Sequence, residues 1–186
     1  MWPWGHLAIG YLCYSLLARR RFGRPPGGVE TLWLALGTQI PDLVDKPLAW
    51  TLGVLPAGRS LGHSLLVALL AVAVVALLAR QRGWGRAGLA FGVGYLAHLP
   101  VDALVPVLDG EYALLSFLGW PLLSPPPYGE ELGFLGQVRT AELTPVLALG
   151  LVLSVLAFVR WLADGRPGVA AVRGWIGARR ERATES

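Results

Sequence analysis

Long apolar runs alternate along this chain with tight clusters of arginine. The three histidines and several isolated aspartates lie at the ends of those runs farthest from the arginines. Residues 65–79 carry no polar side chain, and with 61–64 the run reaches nineteen residues, about the length that spans ~30 Å of hydrocarbon. A second run, 87–108, is interrupted by Tyr95, His98, Pro100, Asp102 and Pro106, and a third, 143–159, is uncharged throughout. Two shorter segments precede them: 5–17, which opens on His6, and 29–40, which stops before Pro41. At 1.5 Å per residue the latter rises only ~18 Å, so the two are expected to pair as a partly embedded hairpin. Pro and Gly mark 19–28 and 42–62 as connections, and 109–142 as a long loop with Trp120-Pro121 and Pro125-Pro126-Pro127. The pattern predicts an all-α, polytopic membrane bundle of about five apolar segments. Residues 1–164 form the embedded domain and 165–186 a basic tail, in which Val169, Val172, Trp175 and Ile176 have the helical spacing to rest on lipid.

Composition agrees. Of 186 residues, 54% are hydrophobic and 15% charged, against roughly 25% charge in soluble domains, and the mean hydropathy is +0.54. The distribution of charge says more than the net +4. Arg19, Arg20, Arg21 and Arg24 follow the first segment, and Arg80, Arg82 and Arg86 separate the third and fourth. Arg160, Arg166, Arg173, Arg179, Arg180 and Arg182 follow the last. Only Lys46, Arg59 and Arg139 lie elsewhere, so the positive-inside rule orients all three clusters, and the C-terminus, to the cytoplasm of a cell membrane. Asp109, Glu111, Glu130 and Glu131 then read as solvated charges of the outer loop. Topology and anionic lipid account for the basic tail, so no nucleic-acid partner is expected. Met1 to Ala18 lacks a basic leader of the cleavable kind. Cys13, the single cysteine, reads as a packed core thiol. Trp2, Trp4, Trp50 and Trp120 suit an outer aromatic belt, with Trp84 and Trp161 on the inner side.

Counted up from the arginine belts, His98 lies about 18 Å and Asp102 about 24 Å above Arg86, and His63 about 26 Å above Arg80. His6 lies about 20 Å above Arg19, and Asp42 about 20 Å above Val29. Four segments thus deliver His or Asp to one layer near the outer face. His98 and Asp102, four apart, share a helix face, as do Asp42 and Asp45, three apart. A carboxylate in an apolar span is costly and marks function; Asp42 alone also suits a helix cap after Pro41, and Asp45 a pair with Lys46 or Arg59. Imidazole with carboxylate suits Zn²⁺, Mn²⁺ or Fe²⁺, and such an ion lowers the pKa of bound water toward ~7.

These residues resemble the YdjM-type membrane-bound proteins described as metal-dependent hydrolases. The matching pieces are Gly5-His6, Pro41-Asp42-Leu43-Val44-Asp45, Arg59-Ser60-Leu61-Gly62-His63-Ser64-Leu65, His98-Leu99-Pro100-Val101-Asp102 and Trp120-Pro121, in order over residues 5–122. The resemblance implies a site of His6, Asp42, Asp45, His63, His98 and Asp102, with Arg59 and Ser64 nearby. A fainter similarity is to zinc-dependent phospholipase C and its nuclease relatives, which supply further histidines downstream; here none follows His98. The combined expectation is a hydrolase at the outer membrane face, with a divalent ion, zinc first, bound by His6, Asp42, His63, His98 and Asp102. Asp42, Asp45 and Arg59 are the catalytic candidates, Arg59 holding a phosphate oxygen of a phosphoester or lipid-derived substrate. The rivals are a transporter or assembly factor with a polar intramembrane layer, and a Ser64 nucleophile with a His base.

The charge asymmetry carries a direct test. In a Cys13→Ala background, a cysteine at Ser124 should react with an impermeant thiol reagent from outside, and one at Ser186 only after permeabilisation. External labelling at 186 but not at 124 reverses the orientation.

Overall fold

The computed structural model describes residues 2–128, 133–139 and 142–184. Every regular element among them is helical: α1 (Pro3–Phe22), α2 (Gly28–Lys46), α3 (Leu65–Gln81), α4 (Gly85–Leu108), α5 (Gly133–Arg139), α6 (Pro145–Ala163) and α7 (Val169–Thr184). A π-helical turn, Pro47–Thr51, continues α2, and a 3-10 helix, Tyr112–Gly119, follows α4. Glu130 and Glu131 lie outside the described residues.

Local chemistry sets most boundaries. Pro3 occupies the first turn of α1, where no amide partner is lost. Gly23, at φ +66°, closes that helix by donating its N–H to the Arg19 carbonyl, while Arg19, Arg20 and Arg21 lie favourably at the negative end of the dipole. Glu30 reaches back to accept from the Gly27 N–H (3.0 Å) and starts α2. Ser64 and Thr144 cap α3 and α6 by accepting from Val67 and Leu147.

Two sequence expectations change here. Pro41 does not end the second segment, for α2 runs through it to Lys46. Proline removes one backbone bond, a tolerable loss in a helix packed by neighbours on a buried face, and Pro41 is itself buried. Cys13 is exposed, not packed: it lies on the outward face of α1, whose buried stripe is instead Ala8, Tyr11, Tyr14, Ser15 and Ala18.

α4 is the central helix, packing on α1, α2 and α3, while α6 leans on α1. The core is unusually small-sided. Ala8, Tyr11, Tyr14, Ala18, Leu34, Ala90 and Ala157 form one cluster, and Ala68, Phe91, Tyr95 and Leu99 another. Large aliphatic side chains face outward instead, among them Leu70 (66% exposed) on α3 and Val155 (63%) on α6. Among the described residues two helices, Gly85–Leu108 and Pro145–Ala163, are long and apolar enough to cross a membrane, and Leu65–Gln81 is apolar but shorter.

Glycine permits the α2–α4 crossing. A Cβ on Gly94 would lie 2.5 Å from the Leu34 carbonyl oxygen and 3.0 Å from the Thr38 amide, and one on Gly37 would run into the Phe91 carbonyl. Both obstacles are backbone, which cannot swing aside. At the opposite end of α1 from His6, Asp164 accepts hydrogen bonds from Tyr11 Oη (2.9 Å) and Ser15 Oγ (2.6 Å) and pairs with Arg19, joining α1 to the end of α6. Burial opposes its charge, but these partners outweigh it and hold the Asp164 carboxyl below the usual range.

Gly37→Ala should therefore separate α2 from α4 and cost about 2–3 kcal/mol, an overpacking penalty at the upper end of the usual range. Thermal unfolding in detergent, set against Gly174→Ala, which meets nothing within 4 Å, checks this. Equal stability of the two variants would refute the close-contact argument.

Candidate metal centre

The α2–α4 crossing sets Asp42 opposite His98 and Asp102, α1 brings His6 from one side, and the loop before α3 brings His63 from the other. All five are buried. His63 Nε2 lies 3.1 Å from His98 Nε2, 3.2 Å from Asp102 Oδ2 and 3.5 Å from Asp42 Oδ1. His98 Nε2 lies 3.5 Å from Asp102 Oδ2 and 3.9 Å from Asp42 Oδ1. One ligand atom from each of Asp42, His63, His98 and Asp102 falls within 4.8 Å of all the others. His6 stacks face to face on His98 (3.7 Å between centroids, 11° between planes), with Nε2 3.3 Å from Asp102 Oδ1. The structure thus brings together every histidine and aspartate singled out in the sequence.

The remaining nitrogen of each central imidazole is engaged, and that fixes which electron pairs face inward. His98 Nδ1 donates to the Thr38 carbonyl (2.8 Å), a group α2 supplies one turn before Asp42. His63 Nδ1 lies 2.8 Å from Asp45 Oδ2 and donates to it. With both Nδ1 atoms engaged as donors, both Nε2 atoms face the same point, and each can hold there either a proton or, through its lone pair, a metal ion. Asp42 Oδ1 is buried there and accepts no hydrogen bond. Two imidazole Nε2 atoms and two carboxylate oxygens converge on one point, which is the chemistry of a site for a proton or a metal cation.

Asp45 does not pair with Lys46 or Arg59. Its carboxylate accepts from the backbone N–H groups of Ser60 (2.7 Å), Gly62 (2.7 Å) and His63 (3.2 Å) as well as the His63 ring, folding the loop around itself. Gly62 allows the approach, because a Cβ would come 2.9 Å from Pro41 Cα. Tyr95 Oη donates to the Gly62 carbonyl (2.8 Å) and secures the same loop from α4. Lys46 pairs with Asp42 (2.6 Å), and Arg59 Nε donates to Asp102 (2.9 Å) while Nη1 donates to Tyr128 Oη (3.3 Å). Ser64 Oγ is committed to the Trp120 carbonyl (2.6 Å) and to capping α3, which leaves no hydroxyl proton directed at a histidine. Thr38, Tyr95, Gly62 and Tyr128 were not singled out in the sequence. Only Gly62, wedged in Leu-Gly-His, left a signal there.

Burial disfavours a charge on His63, but the surrounding carboxylates of Asp102, Asp42 and Asp45 outweigh it and raise its pKa to about 10. Burial likewise opposes the Arg59 charge, and Asp102 and Tyr128 restore it, holding that pKa above the ordinary value. Near neutrality a proton on His63 therefore supplies part of the positive charge the cluster requires. An ion bound through His63 must displace it, so apparent metal affinity should fall close to tenfold for each pH unit of acidification below about 10. Titration calorimetry in buffers of different ionisation enthalpy should show about one proton released per ion at pH 7. Binding without proton release would contradict a ligand at His63.

No curated protein and no solved structure matches the chain. One family model does: that of the YdjM inner membrane protein, over residues 1–172.

Proposed function

The chain belongs to the YdjM inner membrane protein family, and from that premise we propose that it is a metal-dependent hydrolase of phosphoesters, its ion held at the outer face by Asp42, His63, His98 and Asp102. The observation that carries this reading is the shape of the donor set. A tetrahedral site with ~2.0–2.1 Å bonds has donor–donor edges of about 3.3–3.4 Å. Five of the six donor–donor distances, 3.1, 3.2, 3.5, 3.5 and 3.9 Å, lie about that value, and all six are within 4.8 Å. Two imidazoles and two carboxylates at this spacing favour zinc over magnesium or calcium, which prefer six or more oxygens.

A divalent ion held by these four residues would supply Lewis acidity toward water and an ester oxygen only at a further position beyond the four protein donors. Hydrolysis forms a bond from the oxygen of water to phosphorus and breaks the bond from phosphorus to the ester oxygen, the alcohol leaving with a proton from that water. Asp42 borders the adjoining cavity and is the carboxylate placed to take the proton first. Asp45, spent on four hydrogen bonds, is a positioning residue for His63. His6 braces His98 by stacking and Asp102 by its hydrogen bond. Arg59 orients Asp102 and turns its guanidinium toward the cavity, where it meets an anionic substrate.

The accompanying topology is a five-segment, multi-pass bundle. The basic tail beyond 164 lies in the cytoplasm against lipid, and the His/Asp layer lies near the outer leaflet. The arginine clusters and the outward-facing leucines and valines of α3 and α6 support it.

Purified protein should contain about one transition-metal ion per chain, as four donors around one point would hold. His98→Ala and Asp102→Ala should each lose at least nine-tenths of it, together with hydrolysis of a chromogenic phosphoester. His63→Gln should do the same at nearly unchanged volume, separating ligand loss from misfolding. Wild-type protein that takes up no ion even after reconstitution would defeat the hydrolase reading and favour a transporter or assembly role.

A further inference from the structure

Beside the metal centre lies a cavity of about 1180 Å³, above the ~300–1,000 Å³ of most small-ligand sites. Its walls are of two kinds. Asp42, Lys46 and Arg59 form the polar end, where Lys46 Nζ stands 5.6 Å from the Trp50 ring centroid. Trp50 belongs to the π-helical turn after α2 and packs over Gly58, where a Cβ would come 2.8 Å from the indole Nε1. One indole thus lines the polar end beside Lys46. Leu43, Val105, Leu108, Val146 and Leu147 form the other wall, drawn from α2, the end of α4 and the first turn of α6. Because α6 packs chiefly on α1, the cavity lies between its first turn and α2, on the side where both helices turn apolar residues outward.

We infer that this cavity seats a single membrane lipid with a phosphate-bearing headgroup, which Lys46 and Arg59 hold beside the metal centre while the hydrocarbon chain lies along Leu43, Val105, Leu108, Val146 and Leu147. The inference deepens the hydrolase reading and rests on it for the charge at the polar end. Lys46 and Arg59 are now balanced by Asp42 and Asp102. A divalent ion held by the same two carboxylates takes over that balance and leaves both cations to an incoming anion. Asp109, the other acidic residue of the lining, caps the C-terminal end of α4 next to Leu108, on the apolar wall and not at the polar end. Phosphate alone fills a small part of such a volume, and the apolar wall offers it nothing. A chain on that wall gains about 0.8 kcal/mol per CH₂ relative to water, but little relative to the bilayer, so the headgroup supplies selectivity and the chain supplies placement.

The protein reconstituted in phosphatidylcholine vesicles with a few per cent of phosphatidic acid bearing a diazirine in its acyl chain provides the test. Irradiation should label Leu43 and the 145–147 turn at least tenfold above the same probe built on diacylglycerol. Unlabelled phosphatidic acid should compete, and inorganic phosphate should not. Lys46→Gln should cut labelling at least tenfold and Lys46→Arg should retain most of it. Val146→Trp, which fills the apolar wall and leaves the polar end intact, should also abolish labelling. Equal labelling by the diacylglycerol probe, full competition by inorganic phosphate, or indifference to both Lys46→Gln and Val146→Trp would overturn the inference. Metal content measured on the same samples separates the two ideas. Fully loaded protein without labelling refutes the lipid seat and leaves the metal centre standing, whereas labelled protein devoid of metal refutes the hydrolase and overturns the part given to the ion in freeing Lys46 and Arg59, while the lipid's place in the cavity stands.

Discussion

The whole His/Asp cluster depends on how closely α2 and α4 approach. Gly37 and Gly94 let each backbone rest against the other. At that separation the Thr38 carbonyl reaches the His98 ring and Asp42 stands across from Asp102. In a membrane, lipid is as apolar as leucine, so helices gain little by burying large side chains against each other. Close packing of small residues and interhelical hydrogen bonds take that role. The same constraint explains a core rich in alanine and tyrosine and a surface rich in leucine and valine.

Within that frame the polar cluster obeys a single rule of compensation. Each buried carboxylate has cationic or donor partners: Lys46 for Asp42, Arg59 and the imidazoles for Asp102, and three backbone N–H groups with a ring nitrogen for Asp45. Charges at such depth persist only when paired. A pair of histidines whose outer nitrogens are both spoken for can serve this balance only with a proton or a metal ion at the inner ones. The arrangement is thus built as a receptor for positive charge, and the choice between proton and metal is set by pH and metal supply.

The polar layer was legible in the sequence because it consists of rare events. Histidine and aspartate are scarce in apolar runs, and helical rise converts their positions into heights. Three things were not legible. Pro41 reads as a stop by propensity, yet α2 continues because its buried neighbours hold the turn. Cys13 shares an apolar run with its neighbours, and in lipid apolar character does not distinguish inside from outside. Asp45 looked like a partner for a nearby cation, but the coiling of 60–63 around its carboxylate depends on a Gly62–Pro41 contact that no local pattern announces.

α1 is pinned at both ends. His6 is tied into the outer cluster, and Arg19 is tied to Asp164 at the other end. Thirteen residues separate those anchors, about 20 Å of helix against a hydrocarbon layer of roughly 30 Å. The two polar strata are therefore nearer to each other than the bilayer is thick, and a strut bonded at both ends cannot lengthen to match. Were α1 embedded along its length, the surrounding lipid would yield instead, thinning or dimpling locally so that headgroups dip toward the buried histidines, at a cost of fractions of a kcal/mol per Å. Hydrophobic mismatch of this sort makes bilayer thickness a variable of the site: longer-chain lipids would deepen the dimple and set its occupant farther from the aqueous phase.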